Sequence, residues 1–193
     1  MSEKYFFDRV FTKKDVSADG SVTADYDNCS FQNCELTEAN LSGCIFSDCT
    51  FNDCNLSMVK LGQTVFRDVV FKDCKMLGLR FDHCNEHGLG FTFEDCVLNH
   101  SSFYKTKIRK TVFKNTSLQE TDFALCDATY TLFDNCDFTN ATFDGTNLEN
   151  ADLTSSVNFD INPETNKIKQ AKFSLTGLPG LLGKYRIKIV NRI

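Results

Sequence analysis

The chain has 193 residues, of which 41% are hydrophobic and 24% charged, with a formal net charge of −5; this is enough apolar material for one domain with a buried core. It has no apolar run long enough to span a membrane, and its start lacks the basic, apolar and small-residue order of a signal peptide. We therefore expect a soluble, cytoplasmic protein without a membrane segment. Its 19 Phe, 10 Cys and lack of Trp indicate a repeated unit.

An apolar residue recurs at every fifth position over Tyr26–Phe81, a period that belongs to neither an α-helix nor a β-strand. Upstream, Phe6, Phe11 and Val16 keep the same phase. We therefore expect residues 1–21 to form an irregular first turn of the same repeated structure.

The five-residue phase slips at residues 82–92 and then continues from Phe93 to Leu153. This interruption is predicted to be a loop, produced by an insertion of either two or seven residues; the sequence leaves both open. An exposed loop with an apolar tip is typical of a recognition element. The candidate partner-binding residues of the loop are Asn85, Glu86, His87, Leu89 and Phe91.

A second column, made of small residues, lies two positions before the apolar centres and contains all 10 cysteines. Their spacing supplies no C-x2-C pair for a metal, and His83, Cys84 and His87 leave a zinc tetrahedron incomplete. We expect free, buried thiols that act as small hydrophobic side chains in a reducing compartment, with no disulfide, metal or cofactor.

The repeated order of a small residue, a polar residue, Leu or Phe, and two further polar positions resembles the pentapeptide-repeat family, as in ANLSG, CTFND, ATFDG and TNLEN. The resemblance covers roughly residues 22–157. It implies an all-β, right-handed quadrilateral (square) β-helix, a solenoid in which four units make one turn. At about 4.8 Å per turn this gives roughly seven turns and a rod of about 32 Å.

The repeats fail after Leu153, so we predict a β-helix over residues 1–157 and a C-terminal cap over residues 158–193. A short helical turn is predicted to start at Pro179, and Tyr185–Ile189 alternates as a strand does. The quinolone-resistance and albicidin-resistance branch, which this chain resembles, has a similar tail that joins two rods end to end. The resemblance thus implies a homodimer, with a monomeric cap as the alternative. The predicted interface residues are Leu178, Leu181, Leu182, Tyr185 and Ile187.

Acidic residues recur directly before the small residue of the repeat. Residues 164–193 hold seven basic residues and one acidic residue, which leaves 14 basic and 25 acidic residues, a net charge of −11, in residues 1–163. Stacked like charges repel by about 1 kcal/mol in water, so we expect folding alone to give no reason to keep them. Such a surface should attract basic clefts and repel nucleic acid. The candidate partner-binding carboxylates are Asp48, Asp53, Asp68, Asp73 and Asp95.

An enzyme is not expected, because catalysis needs a pocket with converging reactive groups and a filled coil offers none. The sequence has only 3 histidines. It contains no phosphate-binding glycine loop and no G-x-S-x-G or H-E-x-x-H motif.

The branch that the chain resembles imitates duplex DNA and binds type II topoisomerases, which it protects from drugs or inhibits. The resemblance implies that this chain binds DNA gyrase or topoisomerase IV through its acidic columns and confers antibiotic resistance, with specificity supplied by residues 84–90. The alternative is a non-enzymatic interaction scaffold for an unrelated partner, with incidental acidity. A basic stretch at Lys105–Lys114 shows that the negative surface is not uniform.

Overall fold

The chain winds into a right-handed quadrilateral β-helix of about 8 turns, seen in a computed structural model that describes residues 4–12 and 24–190. Each regular turn brings the chain back to the same column 20 residues later, so that Phe31 pairs with Phe51. Of the predicted irregular first turn, Phe6 and Phe11 lie in strands paired with the next turn, while Val16 lies outside the described residues.

Two sides of the coil are parallel sheets. One sheet has four strands in the order β1-β3-β5-β7, and the other has nine in the order β2-β4-β6-β8-β9-β10-β11-β12-β13. The strands are β1 Lys4–Phe7, β2 Val10–Thr12, β3 Ala24–Asp27, β4 Ser30–Gln32, β5 Ile45–Ser47, β6 Thr50–Asn52, β7 Val65–Arg67, β8 Val69–Lys72, β9 Phe91–Glu94, β10 Val112–Lys114, β11 Leu132–Asp134, β12 Asp152–Leu153 and β13 Lys172–Phe173. Isolated parallel bridges, such as Asn55 to Lys75, connect the turns on the other sides.

The core is the set of fifth-position centres, and the predicted columns are confirmed. All centres from Phe31 to Phe81 and from Phe93 to Leu153 are buried. Aromatic rings stack from turn to turn, with 4.4 Å between the ring centroids of Phe31 and Phe51. A five-residue period therefore fills the interior with apolar side chains once on each side of the square.

The column of small residues lies inside the corners. All ten cysteines are buried there as thiols outside any disulfide, as predicted. Their thiols contact carbonyl oxygens of the preceding turn; the Cys74 Sγ lies 3.3 Å from the Phe51 oxygen. Burial raises the pKa of Cys49 to about 11, which keeps this thiol protonated and unreactive at neutral pH.

The interruption is an insertion of two residues, not seven. Phe71 pairs with Phe93, and the Leu79 amide donates to the Ser101 hydroxyl across 22 residues instead of 20. The expectation of an apolar loop tip is wrong for Phe91, which is only 5% exposed and packs 5.6 Å from the ring of Phe66. The two added residues let Phe91 fill the core position that the degenerate unit leaves empty.

The parallel pairing continues beyond residue 157, because Asn147 bridges Lys167 and Asp152 pairs with Lys172. Nine strands at about 4.8 Å span about 38 Å, longer than the sequence estimate. Phe159 and Ile161 replace the regular centres in this last turn and are buried.

Short 3₁₀ helices follow the coil. They cover Leu175–Leu181 and Gly183–Tyr185, and another lies at Phe81–His83. The predicted helical turn therefore begins before Pro179, at the Ser174 cap, whose hydroxyl accepts a hydrogen bond from the Gly177 amide. The strand predicted at residues 185–189 is wrong, since Tyr185 ends a 3₁₀ helix and residues 187–190 form no regular element.

Candidate partner-binding surface

The predicted acidic columns lie at the corners of the square. Asp48, Asp53, Asp68, Asp73 and Asp95 all have positive φ angles, between 51° and 55°. A left-handed backbone costs an ordinary L-residue about 1–2 kcal/mol and is tolerated best by Gly, Asn and Asp. The expectation that folding gives no reason to keep these residues is therefore wrong, because the corner itself favours this residue type.

Two kinds of corner occur along the coil. At one kind, the amide of the small residue donates to the carbonyl oxygen of the preceding centre, as Ala39 does to Leu36 at 2.9 Å. The residue at the corner, directly before the small residue, then varies in type from Met58 to Tyr130. We call corners without this bond open corners. Within the described residues, open corners carry only Asp, Asn or Gly: Asp8, Asn28, Asn33, Asp48, Asp53, Asp68, Asp73, Gly78, Asp95, Asn115, Asn135, Gly145 and Asn158.

The negative charge itself is not required by the corner. Asn serves the same backbone role elsewhere in the two columns, at Asn28, Asn33, Asn115 and Asn135. There its amide can bond to the neighbouring turn; Asn115 Nδ2 donates to Asp95 Oδ1 at 2.9 Å, and Asn135 Nδ2 donates to Asn115 Oδ1 at 2.9 Å. The choice of Asp over Asn in the middle turns is therefore separate from the needs of the fold.

Four of the five carboxylates have no side-chain partner among the described residues: Asp48, Asp53, Asp68 and Asp73. They border the nine-stranded sheet on both edges. Asp48 and Asp53 flank strand β6, and Asp68 and Asp73 flank strand β8. Since adjacent turns are about 4.8 Å apart, the four carboxylates lie close together around two strands. We call these four residues the acidic frame.

Several later carboxylates differ, because they are engaged within the chain. Lys114 Nζ lies 2.8 Å from Glu94 Oε1, and Arg109 Nε donates to Asp127 Oδ2 at 2.7 Å. Burial alone would raise the pKa of Asp137, but hydrogen bonds from Asn158, Gln119 and Thr139 lower it to about 2. These charges stabilise the coil and are less available to a partner.

The loop presents a polar surface rather than an apolar tip. Glu86 and His87 are exposed, and the His87 amide donates to Asn85 Oδ1 at 3.0 Å, which closes a tight turn. Leu89 is half-buried and packs against the core, beside the buried Phe91. Of the five predicted loop residues, three are thus polar and lie at the surface, and two contact the core.

The predicted tail residues separate into two groups. Leu178, Tyr185 and Ile187 are exposed, Leu182 is half-buried, and Leu181 packs against the end of the core. The most exposed apolar side chain of the tail, Leu175 at 87%, was not among the predicted interface residues. Its place at the start of a 3₁₀ helix gave no periodic signal in the sequence.

The described ranges, 4–12 and 24–190, hold neither a membrane-spanning helix nor a metal-binding cluster. No helix there is long and apolar enough to cross a membrane. No group of three or more His, Cys, Asp or Glu side chains in these ranges is placed to hold a metal ion.

Comparison with known proteins agrees with the geometry. The sequence profile of the family described as a pentapeptide repeat region matches residues 24–91, 45–123 and 79–153. A trypsin-treated variant of QnrB1, a plasmid-mediated fluoroquinolone resistance protein, has a similar structure, with a TM-score of 0.62, 15% identity and coverage of 97% of this chain and 98% of that chain. A second QnrB1 variant gives a TM-score of 0.61, 15% identity and coverage of 98% and 100%. No curated protein sequence matches the chain.

Proposed function

The chain belongs to the pentapeptide-repeat family, and from this premise we propose that it is a DNA mimic that binds a type II topoisomerase, DNA gyrase or topoisomerase IV, and protects it from inhibitors or modulates their action. The proposal is supported above all by the acidic frame of Asp48, Asp53, Asp68 and Asp73. Its carboxylates have no side-chain partner among the described residues and follow both edges of a sheet.

Free carboxylates matter because binding then breaks no internal contact. A basic cleft that normally holds duplex DNA would meet two rows of negative charge on a narrow rod. A paired carboxylate would first have to give up its own cation or amide, at a cost that reduces the net affinity. The acidic frame therefore offers the strongest attraction that this chain has for a cationic surface.

The full-length similarity to QnrB1 supports the same class of function, since that protein confers fluoroquinolone resistance with a rod of the same fold. The proposal also assigns a role to the C-terminal tail. Leu175, Leu178, Tyr185 and Ile187 would form the contact of a tail-to-tail homodimer, while Leu181 closes the core. This role agrees with their exposure, since an apolar surface of this kind is typical of an interface.

A binding experiment tests the proposal. Purified gyrase is immobilised, and the Kd of this protein is measured by biolayer interferometry between about 50 and 300 mM salt. The double variant Asp53→Asn with Asp73→Asn keeps the residue type that open corners accept, and we expect it to bind about tenfold more weakly with a flatter salt dependence. Asp144→Asn with Glu149→Gln is the matched control, because these two carboxylates also lack side-chain partners in the described range but lie in later turns.

The control variant should bind as the wild-type chain does. Equal loss in both double variants would reduce the effect to overall charge and contradict the assignment of the acidic frame. A folded wild-type protein that binds neither gyrase nor topoisomerase IV would favour the scaffold function with another partner.

A further inference from the structure

A second charged surface, opposite in sign to the acidic frame, surrounds the base of the loop. It consists of Arg67, Lys105, Lys107 and Lys110, and we call it the basic patch. None of the four has a carboxylate partner among the described residues, whereas their neighbour Arg109 pairs with Asp127. Four unpaired cations close together are notable in a coil region whose net charge is −11.

The repeat places these cations around the loop. Lys107 lies beside the centre Ile108 in the turn that follows the loop, and Lys105 and Lys110 occupy the corners before and after it. Arg67 belongs to the preceding turn and lies beneath the loop, since a Cβ atom at Gly88 would sit 3.8 Å from Arg67 Nε. The patch thus covers about two turns, or roughly 10 Å along the rod.

Two grooves lie beside the loop, with Leu89 lining both. One, of about 450 Å³, is also lined by Tyr104 and Lys105, and the Lys105 Nζ lies 4.9 Å from the centroid of the Tyr104 ring. The other, of about 390 Å³, is also lined by Lys110, by Arg109 and by Asp68 of the acidic frame. Each groove therefore combines a free cation with an apolar side chain.

We propose that the basic patch and its two grooves bind an acidic peptide segment of a partner protein, one that also carries an apolar residue. The carboxylates of the segment would contact the free lysines, and its apolar residue would pack against Leu89 or Tyr104. The inference rests on the proposed function only in that the chain acts by binding a protein; it does not depend on that partner being a topoisomerase.

A nucleic acid fits this surface poorly. Duplex DNA carries one charge per roughly 1.7 Å of its axis, so it would extend well beyond a patch of about 10 Å. Asp68 lies two turns from Lys110 in the same column of corners and lines the smaller groove, and Glu86 lines the larger groove. Asp82 also lines the larger groove, but it is paired with Arg80 at 2.7 Å. A short acidic segment, unlike a duplex, would be confined to the span of the four cations.

The patch would also make the charge pattern of the rod differ between its two ends. Asp48, Asp68 and Lys110 lie in one column of corners, which changes from negative to positive at the loop. Duplex DNA has nearly the same charge pattern in both directions, whereas this rod does not. A partner with a basic cleft bordered by an acidic segment would therefore accept each protomer in one orientation only.

The test uses a fluorescein-labelled peptide of twelve residues, ten of them Asp or Glu with one Leu and one Phe, and follows its fluorescence anisotropy with the full-length protein. The patch variant is Lys105→Glu with Lys110→Glu. The control is Lys167→Glu with Lys169→Glu, which reverses two cations flanking the centre Ile168 on the same side of the last turn. Circular dichroism and unfolding midpoints check that both variants remain folded.

We expect the wild-type protein to bind the peptide, the patch variant to bind at least about tenfold more weakly, and the control to change by less than about twofold. A peptide in which Leu and Phe are replaced by Ser should also bind more weakly. No binding to the wild-type protein, or equal loss in the patch and control variants, would overturn the proposal. Tighter binding to a 20-base-pair DNA duplex than to the peptide would also overturn it, in favour of a nucleic-acid surface.

The variant Asp53→Asn with Asp73→Asn separates this inference from the topoisomerase proposal. It should keep full peptide affinity, because Asp53 and Asp73 line neither groove. Peptide binding without gyrase binding would refute the topoisomerase proposal alone, and gyrase binding without peptide binding would refute the basic patch alone.

Discussion

The two halves of the coil, residues 24–91 and residues 92–173, share one backbone but use their polar side chains differently. Seven of the ten cysteines lie in the first half, while the small column of the second half is mainly Thr and Ser. The hydroxyls bond firmly to the preceding turn, as Thr131 does to the Ile108 oxygen at 2.9 Å, whereas a thiol such as Cys34 lies 3.6 Å from its acceptor, the Phe11 oxygen. Thiols are weak donors, so the second half gains more from this column.

The same division holds for charge. The acidic frame lies in the first half and has no internal side-chain partners, while Glu94, Asp127, Asp137 and Asp152 of the second half are paired. Under the proposed function, the first half serves binding, while the paired polar groups of the second half contribute to stability. The substitutions below test that division, in decreasing order of their predicted effect on stability.

Phe51→Ala and Phe113→Ala remove fully buried rings from the two halves. Each should lower the free energy of unfolding by about 3–5 kcal/mol, because the stacked column cannot collapse around the space left behind. Urea unfolding followed by circular dichroism measures both. Since each turn contacts the next, we expect one transition in each case; two separate transitions would show that the halves fold independently and would contradict a continuous core.

Asp73→Ala places an ordinary residue at an open corner and should cost about 1–2 kcal/mol of stability. Asp73→Asn should leave stability nearly unchanged, because Asn tolerates the same backbone. Lys110→Ala is the comparison at a hydrogen-bonded corner, where the wild-type residue already bears the left-handed backbone, and should change stability little. Equal effects of Asp73→Ala and Asp73→Asn would refute the backbone explanation of the acidic columns.

Thr131→Val removes a buried hydroxyl from the second half while keeping the shape of the side chain. The expected loss is about 1 kcal/mol, the usual net value of one hydrogen bond. Thermal unfolding gives the difference. A neutral result would mean that the Thr column adds packing rather than hydrogen bonding.

Asp137→Asn should give the smallest effect, below about 1 kcal/mol, since the group is partly exposed and screened. The pKa of Asp137 in the folded protein is about 2, below the ordinary value of 3.8. Its contribution is therefore present above pH 4 and lost as the pH falls toward 2. Urea midpoints at pH 7, 4 and 2 should show a wild-type advantage that disappears at the lowest pH; a constant difference would contradict the linkage.

The five-residue period was enough to predict the buried columns and the position of the cysteines, because it states which side chain faces inward on each side of the square. It could not show the left-handed backbone at Asp48 or Asp73, since a sequence carries no φ angle. The recurrence of Asp and Asn at one repeat position is the sequence signal for this backbone, but the same recurrence also fits a simple pattern of surface charge.

The irregular parts were harder to predict for a physical reason. Phe91 resembles a loop tip in the sequence, but it fills the core position left empty by a unit with no apolar centre. The alternation at Tyr185–Ile189 indicates a strand only if a neighbouring strand is available, and the tail bends into 3₁₀ helices instead. Both outcomes depend on tertiary packing rather than on local pattern.

The proposed binding of gyrase through the acidic frame is best tested by a supercoiling assay. Purified gyrase is assayed with ciprofloxacin present, across a titration of this protein. We predict that the wild-type chain and the variant Asp144→Asn with Glu149→Gln restore supercoiling at the same concentration. Asp53→Asn with Asp73→Asn should need about ten times more protein. Equal rescue by both double variants would contradict a binding role for the acidic frame.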